Sequence, residues 1–260
     1  MNTPLPVGAL VRSWRQHRRL SQLDLALDAE VSTRHLSCVE TGRALPSREM
    51  LLRLAERLEV PLRERNALLL AAGYAPLYPE RALADPSLAP ARRAVELILA
   101  GHAPWPALAV DRAWNIVAHN DAVKPLLGLV ADPALLAPAN ALRLALHPQG
   151  LAPHIGNFGA WRAHILSRLH RQVETTADAV LAALMAELRE YPHDARDEAP
   201  APDLGGVAVP LVLRVGGQVL NLLSTTTVFG TPVDITMSEL ALETFFPADD
   251  ATARFLTQAA

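Results

Sequence analysis

Between residues 7 and 73 the apolar positions recur at the three- and four-residue steps of amphipathic helices, punctuated by polar turns. Val7 to Arg18 reads as a first helix with Leu10, Val11 and Trp14 inward. Ser21 caps a short second helix whose buried side is drawn from Leu23, Leu25, Ala26 and Leu27. The link Asp28-Ala29-Glu30-Val31 is too brief for a long loop, and Ser32 caps a third helix that turns Leu36 and Val39 inward with Val31. Gly42 ends that helix in the left-handed conformation, and Pro46-Ser47 opens a fourth, Arg48 to Glu59, with Leu51, Leu52, Leu54, Ala55 and Leu58 inside. Pro61 opens a fifth that ends near Gly73.

Beyond this bundle the pattern changes. Pro76, Pro79, Pro86 and Pro90 predict a semi-rigid connector over 75–90. A helix over Ala91–Ala100 leads to two short strands, Ala107–Val110 and Trp114–Ala118, around an Asp111-Arg112 turn, and Asn120 caps the helix that follows. Ala139–Leu146 reads as helical. Residues 157–172 form an amphipathic helix in which Trp161, Ile165 and Leu169 recur at four-residue steps, and Thr175–Arg189 form another. The acidic, Pro-rich stretch Tyr191–Asp203 predicts an exposed loop. GVAVPLVLRV and QVLNLLSTTTVF then read as strands flanking a Gly216-Gly217 hairpin turn, which needs positive φ. A strand over Val233–Thr236 and two short helices, Thr236–Phe246 and Asp249–Thr257, complete the expectation. The second region is therefore α+β, with a small sheet covered by helices, an arrangement that leaves room for a ligand between the layers.

The second and third helices, meeting at a tight turn, have the layout of a helix-turn-helix. Once Val31, Leu36 and Val39 point inward, Ser32, Thr33, Arg34, His35, Ser37 and Cys38 are left to face a DNA groove, where Arg reads guanine and Ser or Thr reaches either kind of base. Gln22, Leu25-Ala26, Val31-Ser32, Leu36-Ser37, Glu40, Gly42 and Pro46-Ser47 resemble, in order and spacing, the XRE/Cro-type repressor DNA-binding domain, a five-helix bundle. That resemblance implies that Gln22 touches phosphate and braces the recognition helix, that Thr33, Arg34, Ser37 and Cys38 face bases, and that Arg43 sits at the phosphate backbone of double-stranded DNA. Charge points the same way. Residues 1–74 hold eleven arginines against eight acidic residues, and the rest of the chain thirteen basic against nineteen acidic. Arg12, Arg15, Arg18 and Arg19 cluster at the first helix, where they would neutralise phosphates.

In the second region Trp114-Asn115-Ile116-Val117, Asn120, Leu142-Arg143, His147-Pro148, Trp161-Arg162 and the closing TTTVFGTPVDIT with Phe245-Phe246-Pro247 resemble the MmyB-like regulators, which join such a helix-turn-helix to a PAS-like ligand-binding domain. The resemblance implies a DNA-binding domain over 1–74, a linker over 75–90, and a PAS-like domain over 91–260 that accepts a small apolar ligand, a fatty acid being the family's suggestion. The expected lining is Trp105, Leu108, Val110, Trp114, Ile116, Trp161, Ile165, Leu213, Leu222 and Phe229, with Arg143 or Arg162 as the donor to a carboxylate head. A homodimer is expected, because two half-sites double the contacts to DNA.

Other chemistry finds little footing. Nine histidines include no compact ligand pair backed by a second, so no metal is expected. Ser224 and Thr225 to Thr227 lack the glycines of a nucleophile elbow, and neither Gly205-Gly206 nor Gly216-Gly217 is followed by the Lys of a phosphate loop. No enzyme activity and no cofactor are expected. One cysteine suits a reducing compartment, and no apolar run reaches membrane-spanning length, so a cytoplasmic protein without a membrane partner is the expectation.

Overall fold

The computed structural model describes residues 5–192, 209–230 and 234–258, arranged in two compact units. The first comprises residues up to Arg81 together with 234–238, a short segment of chain that lies far downstream in sequence. Five helices build it: α1 (Val7–His17), α2 (Gln22–Asp28), α3 (Thr33–Glu40), α4 (Arg48–Arg57) and α5 (Leu62–Ala71). Their starts follow local capping chemistry. Ser21, Ser32 and Ser47 each accept a hydrogen bond from a backbone N–H of the first turn, and Ser21 and Asp24 form a reciprocal capping box, each cap contributing about 1 kcal/mol. Leu25, Leu36, Leu51, Leu54, Leu58, Leu68 and Leu69 form the fully buried centre. Leu23 and Leu27 depart from expectation: they are 55% and 70% exposed, because a helix of seven residues turns only Leu25 and Ala26 to the core.

Gly8 sets how closely α1 can approach α3. A Cβ built there would lie 2.1 Å from the Val39 carbonyl oxygen, so only glycine allows this crossing. Residues 234–238, which include α11 (Ile235–Ser238), join the unit through three hydrogen bonds. The Ile235 N–H donates to Pro79 O, the Thr236 hydroxyl to Arg81 O, and Arg81 pairs with Asp234 at 3.3 Å.

The second unit is the expected α+β, PAS-like layer structure. A five-stranded antiparallel sheet runs in the order β2-β1-β5-β4-β3, from β1 (Ala107–Val110), β2 (Ile116–His119), β3 (Leu211–Val215), β4 (Gln218–Val228) and β5 (Ala241–Pro247). Its helices are α6 (Ala89–Gly101), α7 (Lys124–Leu127), α8 (Ala141–Leu146), α9 (Phe158–Thr176), α10 (Ala179–Glu190) and α12 (Asp250–Gln258). Side chains from α8, α9 and α10 form one core with Leu108, Leu211, Leu213, Leu220 and Leu222 of the sheet. No helix among the described residues is long and apolar enough to cross a membrane.

Four expectations need correcting here. Thr236–Phe246 is not a helix: its latter part is β5, the strand between β1 and β4. The run Glu239-Leu-Ala-Leu-Glu243 suits a helix, but strand pairing on both sides overrides that preference. Trp114 does not begin a strand. It ends the β1–β2 turn with φ +67°, which is costly for a bulky residue, and Asp111 Oδ1 fixes that turn by accepting from the N–H groups of Ala113 and Asn115. Asn120 caps nothing with its side chain. It is buried and ties Ala107 N, Leu99 O and Trp105 O together. Of the strand expected over Val233–Thr236, Val233 lies outside the described residues, while Ile235 and Thr236 begin the helix α11 instead; most of the loop expected over 191–203 also lies outside them.

Candidate functional site

The first unit presents α3. Ser32, Arg34 and His35 are exposed, and Thr33, Ser37 and Cys38 are partly so, whereas Leu36, Val39 and Glu40 are buried. Arg43 is exposed just past Gly42, whose φ of +74° lets the chain leave the helix. What holds α3 is a buried ion pair that also engages Gln22. Arg15 donates from Nε and Nη2 to the two oxygens of Glu40 at 2.7 and 2.8 Å, and from Nη1 to Leu20 O at 2.8 Å. The Gln22 amide donates to Glu40 Oε2 at 2.8 Å. One carboxylate thus fastens α1 and α2 to the C-terminal end of α3.

Burial exerts the strongest single pull on Glu40 and pushes its carboxyl up. The hydrogen bonds from Arg15 and Gln22 and the charges of Arg15 and Arg12 outweigh it and leave the group below its ordinary value. The arginine cluster therefore divides. Arg15 is consumed by Glu40, and Arg18 is engaged with the carbonyls of Leu58 and Glu59, which removes both from the set expected to meet phosphates. Arg12 and Arg19 stay exposed.

In the second unit a cavity of about 100 Å³ lies between the sheet and helices α7 to α9. Its walls are aliphatic and aromatic: Leu108, Trp114, Ile116, Leu126, Leu142, Trp161, Ile165, Leu213 and Phe245 among others. Three polar side chains border it, His164, Arg168 and Glu243. Glu243 sits on β5 with its side chain 6% exposed, and both its oxygens accept from Arg168, Oε2 from Nη1 at 3.1 Å and Oε1 from Nη2. Thr226 Oγ1 also donates to Oε1 at 2.8 Å. The Arg168 guanidinium lies over the Trp114 ring, 4.5 Å from its centroid, and Trp114 Nε1 donates to Gln172. Burial, with the charges of Arg168 and Arg171, pushes the His164 imidazole below its ordinary value. Trp161 stacks on His164, and its buried Nε1 has no hydrogen-bond partner among the described residues.

Of the twelve ligand-binding residues expected from sequence, Leu108, Trp114, Ile116, Trp161, Ile165 and Leu213 line this cavity, and Val110 and Leu222 do not. Nor do Trp105, Arg143, Arg162 and Phe229. Arg143 is held by Glu187 at 2.7 Å and Arg162 donates to Arg189 O, so neither expected carboxylate donor faces the cavity. Trp105 packs edge-on against His102, with its ring 5.9 Å from that of Phe246. The polar border, Arg168 with Glu243, is not among the residues expected from sequence. Arg168 stands three residues after Ile165 and seven after Trp161, on the inner stripe of α9, and a charge on such a stripe signals a buried partner. Glu243 gave no comparable signal, because its segment reads as a helix.

Among the described residues no group of three or more His, Cys, Asp or Glu is placed to hold a metal ion. Two family models match the chain. That of the MmyB-like transcription regulator ligand binding domain covers residues 91–259, and that of a helix-turn-helix domain covers residues 6–68. No curated protein matches it.

Proposed function

The chain belongs to the MmyB-like transcription regulators, and from that premise we propose that it reads the level of an apolar metabolite in the bacterial cytoplasm, a fatty acid being the specific candidate, and converts it into altered affinity for an operator. The observation that carries this reading is the cavity: an almost wholly apolar enclosure inside the unit, bordered at one edge by Arg168, Glu243 and His164. Apolar burial would supply the affinity, at about 25 cal/mol per Å² removed from water. The polar edge would set orientation. Because Glu243 already neutralises Arg168, the head group that fits best is one that accepts a hydrogen bond without bringing an uncompensated charge, such as a protonated carboxyl or an ester. An acceptor near Trp161 would also satisfy its unpartnered N–H.

On the DNA side, Thr33, Arg34, Ser37 and Cys38 would meet base edges, with Ser32, His35, Gln22 and Arg43 at or near the backbone. Two copies would bind two half-sites about one helical turn apart. Coupling between ligand and operator is a population shift: whichever arrangement the ligand prefers gains weight, and by linkage the operator changes ligand affinity by the same factor. Residues 234–238, which belong to the first unit, run directly into β5, whose Glu243 and Phe245 border the cavity, so the chain itself joins the two sites.

The test is to extract the purified protein with organic solvent, identify what is released by mass spectrometry, and titrate operator DNA with and without it. A lipid released at about one per chain, and able to change DNA affinity, is the expected result. An empty extract, together with no binding of added fatty acid, would overturn the sensor and leave the second unit as an interaction module.

A further inference from the structure

A second cavity lies in the same unit. It measures about 340 Å³ and is bounded by Ala103, Pro104, Pro125, Leu220, Leu222, and Phe255 and Leu256 of α12. Its wall and that of the first cavity have two residues in common, Pro106 and Leu126. Both side chains thus border both spaces, and of the two the proline ring is rigid. Leu126 is the movable one: half-buried, in the four-residue helix α7, directly after Pro125.

Size gives the partition a meaning. The first cavity, at about 100 Å³, is smaller than the dry apolar cavity of about 150 Å³ that takes a benzene-sized ligand. By itself it is too small for a long alkyl chain. The second is more than three times as large and is also mainly apolar at its walls. They are laid out end to end. Along β5 the polar edge is at Glu243, while Leu222 of the second cavity pairs with Pro247, four residues on and so about 13 Å away. Pro106, the shared wall, accepts the backbone N–H of Phe245, midway between them.

We infer that the two cavities form one elongated ligand site divided by the Leu126 side chain, which opens to admit a long alkyl chain toward α12 and thereby sets the chain length the protein recognises. This rests on the ligand-sensor reading and deepens it. A molecule with its head at Arg168–Glu243 would run past Leu126 and end against Phe255 and Leu256. Short members of a series would stop at Leu126, with nothing to gain from the second cavity.

The experiment uses the full-length, delipidated protein and a straight-chain series from butanoate to hexadecanoate, titrated by calorimetry. Wild type binds with affinity that climbs along the series. Leu126→Trp plugs the passage: hexadecanoate loses at least tenfold more than butanoate does. Leu256→Arg, at the far end, affects only the longest members, and it carries the test should Leu126→Trp not fold. Equal losses across the series in both variants, or no loss in either, would overturn the divided site. If no member of the series binds wild type, the fault lies with the fatty-acid reading and not with Leu126.

Discussion

Among the described residues each unit encloses an arginine–glutamate pair, buried in the first and half-buried at Arg168 in the second, and on the proposed reading the two pairs serve opposite ends. Arg15–Glu40 faces inward: it ties α1, α2 and α3 together while the residues proposed to meet DNA stand in solvent. Arg168–Glu243 sits at the edge of a cavity, where the surface proposed to meet a ligand is the cavity wall itself. On the proposed reading the first pair is scaffolding that meets its site only through Gln22, and the second is part of its site. A buried ion pair thus says little about role until its surroundings are known.

The largest expected effect comes from removing Glu40. Its side chain is 1% exposed, so Glu40→Ala leaves the Arg15 charge uncompensated and should cost about 3–5 kcal/mol in urea unfolding of the first unit. Specific and random DNA should be lost together, because α3 loses its anchor. A cost no greater than that of a surface substitution would remove the distinction drawn between the two pairs. The same carboxyl predicts an acid limb. Since the folded state holds Glu40 below its ordinary 4.5, its contribution is complete above that value and fades as pH falls through the lower, folded one. Glu40→Gln should flatten that limb in a melting series taken downward from about pH 5.

Glu243→Gln comes next. Arg168 keeps its stacking on Trp114 and a neutral hydrogen-bonding partner, so the loss should be smaller, about 1–3 kcal/mol. Here the ligand supplies the sharper reading. With the neutralising charge gone, octanoate should gain about tenfold over octanol, the uncharged reference. Unchanged discrimination between the two would mean that Arg168 does not meet the head group, and the second pair would then be scaffolding like the first.

The same contrast explains what could be read in the sequence. The α3 face was legible because residues 32–38 carry both the helix and the exposed side chains, so local period and caps suffice. Half of the cavity was legible for a similar reason: Trp161 and Ile165 lie on one periodic stripe. The rest depends on pairing over long separations. Glu243 reaches Arg168 across seventy-five residues, and it faces the cavity only because β5 is inserted between β1 and β4, which no local pattern in Glu239–Glu243 announces. Arg143 and Arg162 have the chemistry to pair a carboxylate, but Glu187 and the Arg189 carbonyl engage them. Gly8 carried no sequence signal at all, since its need arises from the Val39 carbonyl on another helix.

The smallest effects test the exposed face and separate reading from anchoring. Arg34→Ala should cost about 1–3 kcal/mol on operator DNA, relax preference at one base position, and leave random DNA nearly unaffected. Arg43→Ala should weaken both DNAs alike and lower the slope of log affinity against log salt by about one per protomer, the signature of one lost phosphate contact. Neither should change the melting temperature, as both side chains are exposed. If Arg34→Ala weakened specific and random DNA equally, the arginine would belong to the backbone set with Arg43. Base reading would then fall to Thr33, Ser37 and Cys38, whose shorter side chains need a deeper seat in the groove. An Arg34 that does discriminate, alongside an Arg43 that does not, would show that the turn at Gly42 marks the boundary between the two kinds of contact.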